Sequence, residues 1–573
     1  MERACERVIE PVRILARWVG GPAVVSILFL IFATITAFGR FHVVDDEGYA
    51  SYLFARLVWA EPLAGGFYLR VHPFLSAVYA MPAGIGWTTY VLSHVAIASL
   101  GIWWIGRSVE RMGGSGWAAS GLVALSPIYF WAAVNGQSNS DGFVATVLAL
   151  FLYTGSGRFQ RSLAGVFIVA AMFGRYESAP LLVGLLVHAA LWRRDQFVLA
   201  GAGLAALAYW GGGALYHADI LWPLHFPPEL MGPESYHISL FEGQRLTVGH
   251  LGEVGLRLAS VTPFWLLAFA VRWRDVEDTA KWLVALLGVS FLLMIVLPAA
   301  GGIFYFPHFA RYWIVFLPGM AVAAGMMVHH PAASSRATSW ILAALAIVLA
   351  LLWGGVASLG AIALALPLLL VLPRSIRTRG IVLAVLVPVL LVVSWIGWKT
   401  QTPIEERAQV VASILPFLQE QLGPGQTIYT NDHRVGPGLA ATNHPGRTRF
   451  LVNHEIIIGV LRLTNQHNGQ TARVAEALGA DLYGTAVWPC RLVSDGPRRG
   501  DLLLTSRDER VSAIYPVETW EQESEPIAAF DNLSLRRFNV DRATTESPKI
   551  GLASEVWDFP CRQASWNEAA LPR

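Results

Sequence analysis

Residues 19–49 read VGGPAVVSILFLIFATITAFGRFHVVDDEGY, and the fold class turns on how that stretch changes character. Val19 to Phe38 form an apolar run of about 20 positions, the length that spans a hydrocarbon layer. At its exit Asp45, Asp46 and Glu47 follow one another. Charge is expensive at membrane depth, so adjacent carboxylates at the mouth of a membrane helix need solvation, a cation or a chemical task. The plain alternative is a solvated loop whose acids cap the next helix.

The rest of the chain repeats the first run. Of its 573 residues 54% are hydrophobic and only 14% charged, against about 25% charged in soluble domains. The first run lacks a small-residue cleavage pattern after it, so it reads as a membrane helix rather than a removed signal. Further apolar runs at 87–106, 117–134, 141–154, 162–174, 179–192, 196–215, 254–271, 282–300, 312–330, 339–355, 357–372 and 381–398 predict about 13 transmembrane helices. Arg107 and Arg111, Arg158 and Arg161, Arg193 and Arg194, Arg272, Arg274 and Lys281, Arg336, and Arg374, Arg377 and Arg379 fall in alternate loops. By the positive-inside rule these loops and the N-terminus are cytoplasmic.

Between 47 and 86 the chain is too polar to span. Tyr49, Leu53, Phe54, Leu57 and Val58 recur at helical spacing, which predicts a helix along the outer interface. The long segment 217–250, with His225, Glu229, Glu234, His237, Glu242, Arg245 and His250, is expected as a wall or lid over the same face, or as ordinary loop surface. From about residue 400 the composition turns soluble. The expected division is a transmembrane domain, 1–399, and an extracytoplasmic α/β domain, 400–573. There IEERAQVVASILPFLQEQL predicts a helix disturbed at Pro416, QTIYTND and DLLLTS predict strands, and ARVAEALGA a further helix. Asn431, Asp432, His433, Arg434 and His444 form a polar cluster after a strand: a ligand loop, or plain surface. Cys490 and Cys561 can form a disulfide if this region is extracytoplasmic. A net charge of +2 gives no footprint for nucleic acid, and no glycine-rich phosphate loop, nucleophile elbow or zinc motif occurs in this region.

The suggestive polar groups all fall on the external side: Asp45, Asp46 and Glu47; His72; Asn135, Asn139 and Asp141; Arg175 and Glu177; His308 and Arg311. Random placement would scatter them over both faces, so one external cavity is expected. A carboxylate there can act as general base on an acceptor hydroxyl. Carboxylates and histidines (Asp46, Asp141, His72, His308) can hold a divalent cation, whether Mg²⁺, Mn²⁺, Ca²⁺ or Zn²⁺, and no organic cofactor is implied. Arginine donates two parallel hydrogen bonds to phosphate. A salt bridge is the competing reading for Arg175 and Glu177, and an interfacial histidine whose Pro73 ends a helix is that for His72.

With these residues in place, the sequence resembles the polyprenyl-phosphate-sugar-dependent glycosyltransferases of the GT-C fold, near the protein O-mannosyltransferase and aminoarabinose-transferase branch. DDEGY at 45–49 is similar to the Asp-Glu motif of that family's first external loop. The resemblance puts the catalytic base on Asp46, with Asp45, Glu47 and Tyr49 beside it. His72-Pro73-Phe74-Leu75 is similar to its proline motif, with Phe74 in place of a second proline, and Arg70 and Val71 stand where metal-holding members carry an acid. Asp141 matches a further acid after the third span. Arg311 and Tyr312 in HFARYWIVFLPGMAV match an Arg-Tyr pair opening a late span. The resemblance implies that Arg311, Arg175, His72 and Tyr312 serve the donor phosphate, and that Asp46, Asp45, Glu47 and Asp141 serve catalysis. It implies inverting sugar transfer to an envelope glycan, lipid or protein at the external face of a bacterial inner membrane, among membrane lipids. A secondary transporter is the first rival; it predicts an internal repeat and midplane charges. A non-catalytic binder of lipid-linked sugar, or a scaffold, is the second.

Overall fold

The structure, a computed structural model, describes residues 21–38, 46–60, 62–67, 72–175, 178–225, 271–286, 288–289, 310–330, 404–423, 426–430, 447–451, 482–483, 498–506, 521–530 and 533–539. The protein is a polytopic helical membrane protein with a β-sheet towards its C-terminal end. Four described helices are long and apolar enough to cross a membrane, and a bent pair supplies a fifth span if counted as one. The expected spans 339–355, 357–372 and 381–398 lie outside the described residues, as do nearly all of 254–271 and most of 282–300. The chain packs as two compact units: Met1–Thr36, Val91–Leu215 and His237–Thr402 in one, Ala37–Tyr90, Tyr216–Tyr236 and Pro403–Arg573 in the other.

In the first unit, α1 (Gly21–Phe38) is apolar all round. It buries Phe29 and Ala33 while Ile27, Leu28, Ile31, Phe32 and Ile35 stay exposed, the pattern of a helix whose outer face meets lipid rather than water. It packs against α5 (Trp87–Arg111), with Ser26 donating to the Ser99 carbonyl. A β-carbon on Gly106 would strike Pro22 and Ser120. Helix association in lipid relies on such small-residue contacts because apolar burial alone offers little.

The expected span 117–134 is not one helix. It divides into α6 (Gly116–Ala124) and α7 (Pro127–Val134), which meet at 63°. Pro127 has no amide hydrogen and its ring would clash with the preceding turn, so the chain restarts there as a new helix. After Asn135, Gly136 takes a left-handed φ of 64° and reverses the chain into α8 (Ser138–Tyr153). At 16 residues α8 is about 24 Å long. Then come α9 (Arg158–Gly174), α10 (Ala179–Leu191) and α11 (Gln196–His217). The expected span 312–330 opens as a 3₁₀ helix, Ala310–Phe316, and continues as α12 (Leu317–His329), with Pro318 in its first turn.

In the second unit, α2 (Asp46–Ala60), α3 (Pro62–Gly66) and α4 (Pro73–Ile85) form around the expected interfacial helix. The α2 residue Tyr52 lies edge-on to Trp87 and Tyr90, centroids 5.4 Å away in each case. The indole of Trp59 crosses α4 at Gly84, where a β-carbon would lie 2.8 Å from Cδ1. His72 precedes α4 and Pro73 occupies the first helical turn, so this proline starts a helix rather than ending one. Further on, His217 Nε2 lies 3.0 Å from the Phe67 carbonyl oxygen and its ring stacks on Trp222 at 5.1 Å.

Among the described residues the C-terminal portion of this unit carries α13 (Ile404–Gln421) and six strands: β1 (Thr427–Thr430), β2 (Arg447–Leu451), β3 (Leu482–Tyr483), β4 (Leu502–Ser506), β5 (Ser524–Phe530) and β6 (Leu533–Phe538). The order is β3-β2-β1-β4-β6-β5, parallel through β4, with β6 and β5 antiparallel at the edge. The expected helix forms with Pro416 inside it. Ile414, Leu418 and Leu422 stay packed on Ile428, Leu502, Leu504 and Leu535, and this burial outweighs the lost backbone hydrogen bond. The helix expected in ARVAEALGA, the polar cluster Asn431–Arg434 with His444, and Cys490 and Cys561 lie outside the described residues.

Among the described residues of the first unit, α9 and α11 approach backbone to backbone. A β-carbon on Gly165 would meet the Val198 carbonyl and Ala202 amide, and one on Gly201 would meet the Ser162 carbonyl. Backbone cannot swing aside as a side chain can. Gly165→Ala and Gly201→Ala should each destabilise the purified protein by about 1–3 kcal/mol, the usual overpacking range. Gly203→Ala, with nothing within 4 Å of the new carbon, should leave the thermal midpoint in detergent unchanged. Equal midpoints for all three would show that α9 and α11 do not cross there.

Candidate active site

The site in the first unit is built on the N-terminal end of α8. Gln137 is the N-cap and makes no side-chain cap hydrogen bond. The groups around it are nevertheless buried: Asn135, Gln137, Ser138, Asn139, Ser140 and Asp141. A helix start without a side-chain cap, set inside protein, concentrates orphan amide groups and the positive end of the helix dipole. Asp141, in the first turn, places a carboxylate where that dipole favours it.

Asp141 meets His94, which projects from α5 about 10 Å inside its Trp87 end. Nδ1 of His94 lies 3.1 Å from Oδ1 of Asp141, and the two side chains are 0% and 4% exposed. A buried carboxylate without a partner would cost several kcal/mol, so such a contact is a condition of its burial.

Arg175 reaches the same turn from the opposite direction. It follows the last residue of α9 and is 6% exposed. Its Nη1 donates to Ser138 Oγ at 2.9 Å. Its stem passes over Gly142, where a β-carbon would lie 2.7 Å from Cγ and 2.9 Å from Cβ. The guanidinium carbon then stands 5.6 Å from the ring centre of Tyr312, and that of Arg311 stands 5.7 Å from the same ring. Both distances are within cation–π range. Three segments far apart in sequence thus converge: the start of α8, the end of α9 and the 3₁₀ turn before α12. They set two guanidinium groups and a phenol ring beside a buried carboxylate, a grouping suited to an anion that carries a polar substrate.

The solved structures to which this chain is similar include two crystal structures. One is "ArnT from Cupriavidus metallidurans bound to Undecaprenyl phosphate", with a TM-score of 0.46 and 15% identity, covering 93% of this chain and 100% of that one. The other is the same protein in the apo state, with a TM-score of 0.45 and 16% identity, covering 89% and 97%. No family model matches the sequence, and no curated protein matches it.

Of the expected site residues, Asp141, Arg175, Arg311 and Tyr312 are brought together. Asp46 and Glu47 open α2 in the second unit. His72 in that unit is 8% exposed and takes a left-handed φ of 50°, its carbonyl accepting from the Ser76 amide. Asp45, Glu177 and His308 lie outside the described residues. Among the described residues no three His, Cys, Asp or Glu side chains group as a metal site. The residue that sequence reading missed is His94. Its signal was present, a single imidazole inside the apolar run TTYVLSHVAIASLGIWW, where a polar ring needs a partner.

Gly142 is the position most exposed to test. Gly142→Ala forces the near end of the Arg175 stem off α8 and should cost about 1–3 kcal/mol of stability. In an Arg175→Gly background the same substitution should cost clearly less, because both obstructing atoms, Cγ and Cβ, are gone. Thermal midpoints of the four proteins check this; strict additivity would show that Arg175 does not lie over Gly142.

Proposed function

We propose that the protein is a glycosyltransferase of the GT-C type that moves a sugar from a polyprenyl phosphate to an acceptor hydroxyl at the external face of a bacterial inner membrane. The observation that carries this reading is the convergence of Arg175 and Arg311 on Tyr312 beside the Asp141 turn. It gives a membrane bundle a paired cationic seat for a phosphate. The sequence motifs DDEGY and HPFL support the same reading.

In the proposed reaction Asp46 takes the proton of the acceptor hydroxyl, with Asp45 and Glu47 as its neighbours. The acceptor oxygen bonds to the anomeric carbon from the face opposite the phosphate. The bond from that carbon to the phosphate oxygen breaks, and the polyprenyl phosphate leaves with the electron pair. One displacement inverts the anomeric centre, and a phosphate leaving group needs no protonation, so a single base suffices. Arg311, with Arg175 behind it, stabilises charge growing on the phosphate, the kind of fixed donor that contributes most in a water-poor site. Asp141 orients a substrate hydroxyl by accepting its hydrogen bond. The acceptor is an envelope glycan, lipid or protein, and the C-terminal α/β domain is external.

The test is transfer from a panel of radiolabelled polyprenyl-phosphate sugars into a native membrane extract by the purified protein. Donor-specific transfer is expected. Asp46→Asn should lower the rate by about 100-fold or more with donor binding retained. Arg311→Ala should weaken donor binding and slow the bond-breaking step, and Arg311→Lys should recover part of both. Donor binding without turnover under every condition would favour a non-catalytic receptor. No donor binding, together with solute uptake in proteoliposomes, would favour a transporter.

A further inference from the structure

The reaction just proposed makes no use of His94, yet this imidazole is wholly buried against the carboxylate of Asp141. The other fully buried histidine pair in the first unit shows what a packing role looks like. At the far end of α8, His188 Nδ1 lies 2.7 Å from the Tyr153 hydroxyl, and its ring stacks on Trp192 and Trp282. His94 differs in that its partner is a charged group at the candidate site. Asp141 lies three residues beyond Ser138, so the two side chains share one face of α8. Arg175 holds Ser138 from α9, and His94 meets Asp141 from α5. The same helical turn is therefore gripped from two sides.

We propose that His94 is a positioning residue for Asp141: it engages Oδ1 from the α5 side and so fixes the direction in which the carboxylate presents itself to a substrate hydroxyl. The inference rests on the glycosyl-transfer reading. The imidazole touches neither donor nor acceptor; it acts through Asp141. A carboxylate that has lost this contact would still bind acceptor but would hold the hydroxyl less well for attack, and misplacement of that kind reduces turnover more than binding.

The test uses the full-length protein in the transfer assay with wild type, His94→Ala, His94→Asn, Asp141→Asn and the double variant His94→Ala/Asp141→Asn. The amide nitrogen of asparagine lies near the place of Nδ1, so His94→Asn keeps a polar nitrogen facing Asp141 and serves as the conservative variant. His94→Ala should lower kcat by about 10- to 100-fold, the usual cost of removing a partner that orients a functional group, with the donor KM unchanged within about threefold. His94→Asn should recover most of that loss. The double variant should be no slower than Asp141→Asn, because an orienting group has nothing left to orient. Wild-type kcat in His94→Ala overturns the proposal, and so does a double variant slowed by the product of the two single losses. Should His94→Ala not fold, His94→Asn and the fold-change between it and Asp141→Asn decide the matter: a loss in His94→Asn as large as in Asp141→Asn overturns it. If EDTA abolishes wild-type transfer and excess Zn²⁺ restores His94→Ala, the pair ligates a cation, which also overturns it. A wild-type protein inactive with every donor overturns the transfer reading and the positioning role together, whereas active wild type with an unaffected His94→Ala overturns the positioning role alone.

Discussion

In an apolar bundle no water is at hand to satisfy a charge or the open end of a helix, so each must find its partner in the protein. The helix α8 shows what this demands. At its C-terminal end Arg111 donates to the Phe151 carbonyl at 2.5 Å, and Arg193 donates to the Tyr153 carbonyl at 3.0 Å. The same guanidinium groups lie over the Phe151 and Tyr153 rings. At its N-terminal end Asp141 meets His94 and Ser138 meets Arg175. Cations at the carbonyl end and an acid at the amide end both follow the helix dipole. The helix is thus fixed at two ends by groups from α5, α9 and the turn after α10, and the candidate site takes its position from that fixing.

The surrounding helices reach α8 because of where the chain is allowed to bend or touch. The break at Pro127 turns α7 aside, and Gly136 in a left-handed conformation returns the chain at once, so the polar turn 135–141 begins inside the protein. Residues lacking a β-carbon admit the contacts that hold the rest. Gly142 lets the stem of Arg175 lie on α8, and Gly165 and Gly201 let α9 and α11 meet backbone to backbone. A site of charged groups in a membrane bundle therefore depends on small residues that carry no charge at all.

Much of this was legible in the sequence, for identifiable reasons. Runs such as 21–38 and 196–217 announce themselves because lipid-facing helices are apolar on every side. That Asp141, Arg175 and Arg311 share one face was legible from sidedness, and Tyr312 entered only through the resemblance of its Arg-Tyr motif. What escaped was local or single. The bend at Pro127 lies inside a run whose hydropathy does not fall, so a length criterion reads one span where geometry makes two helices. His94 sits alone in an apolar run, and its partner is 47 positions away on another helix, a pairing that no local pattern encodes.

The two arginines at Tyr312 are not equivalent, and the difference bears on how a phosphate would be received. Arg175 is 6% exposed, held by the Ser138 hydroxyl on one side and the Tyr312 ring on the other, with its stem pressed on Gly142. Arg311 is half-buried and lies over the same ring. A guanidinium that keeps solvent access can exchange water for phosphate oxygens at modest desolvation cost, whereas a deeply buried one must first give up contacts that hold it. Arg311 is then the more accessible of the two cations at the Tyr312 ring, and Arg175 the more deeply buried.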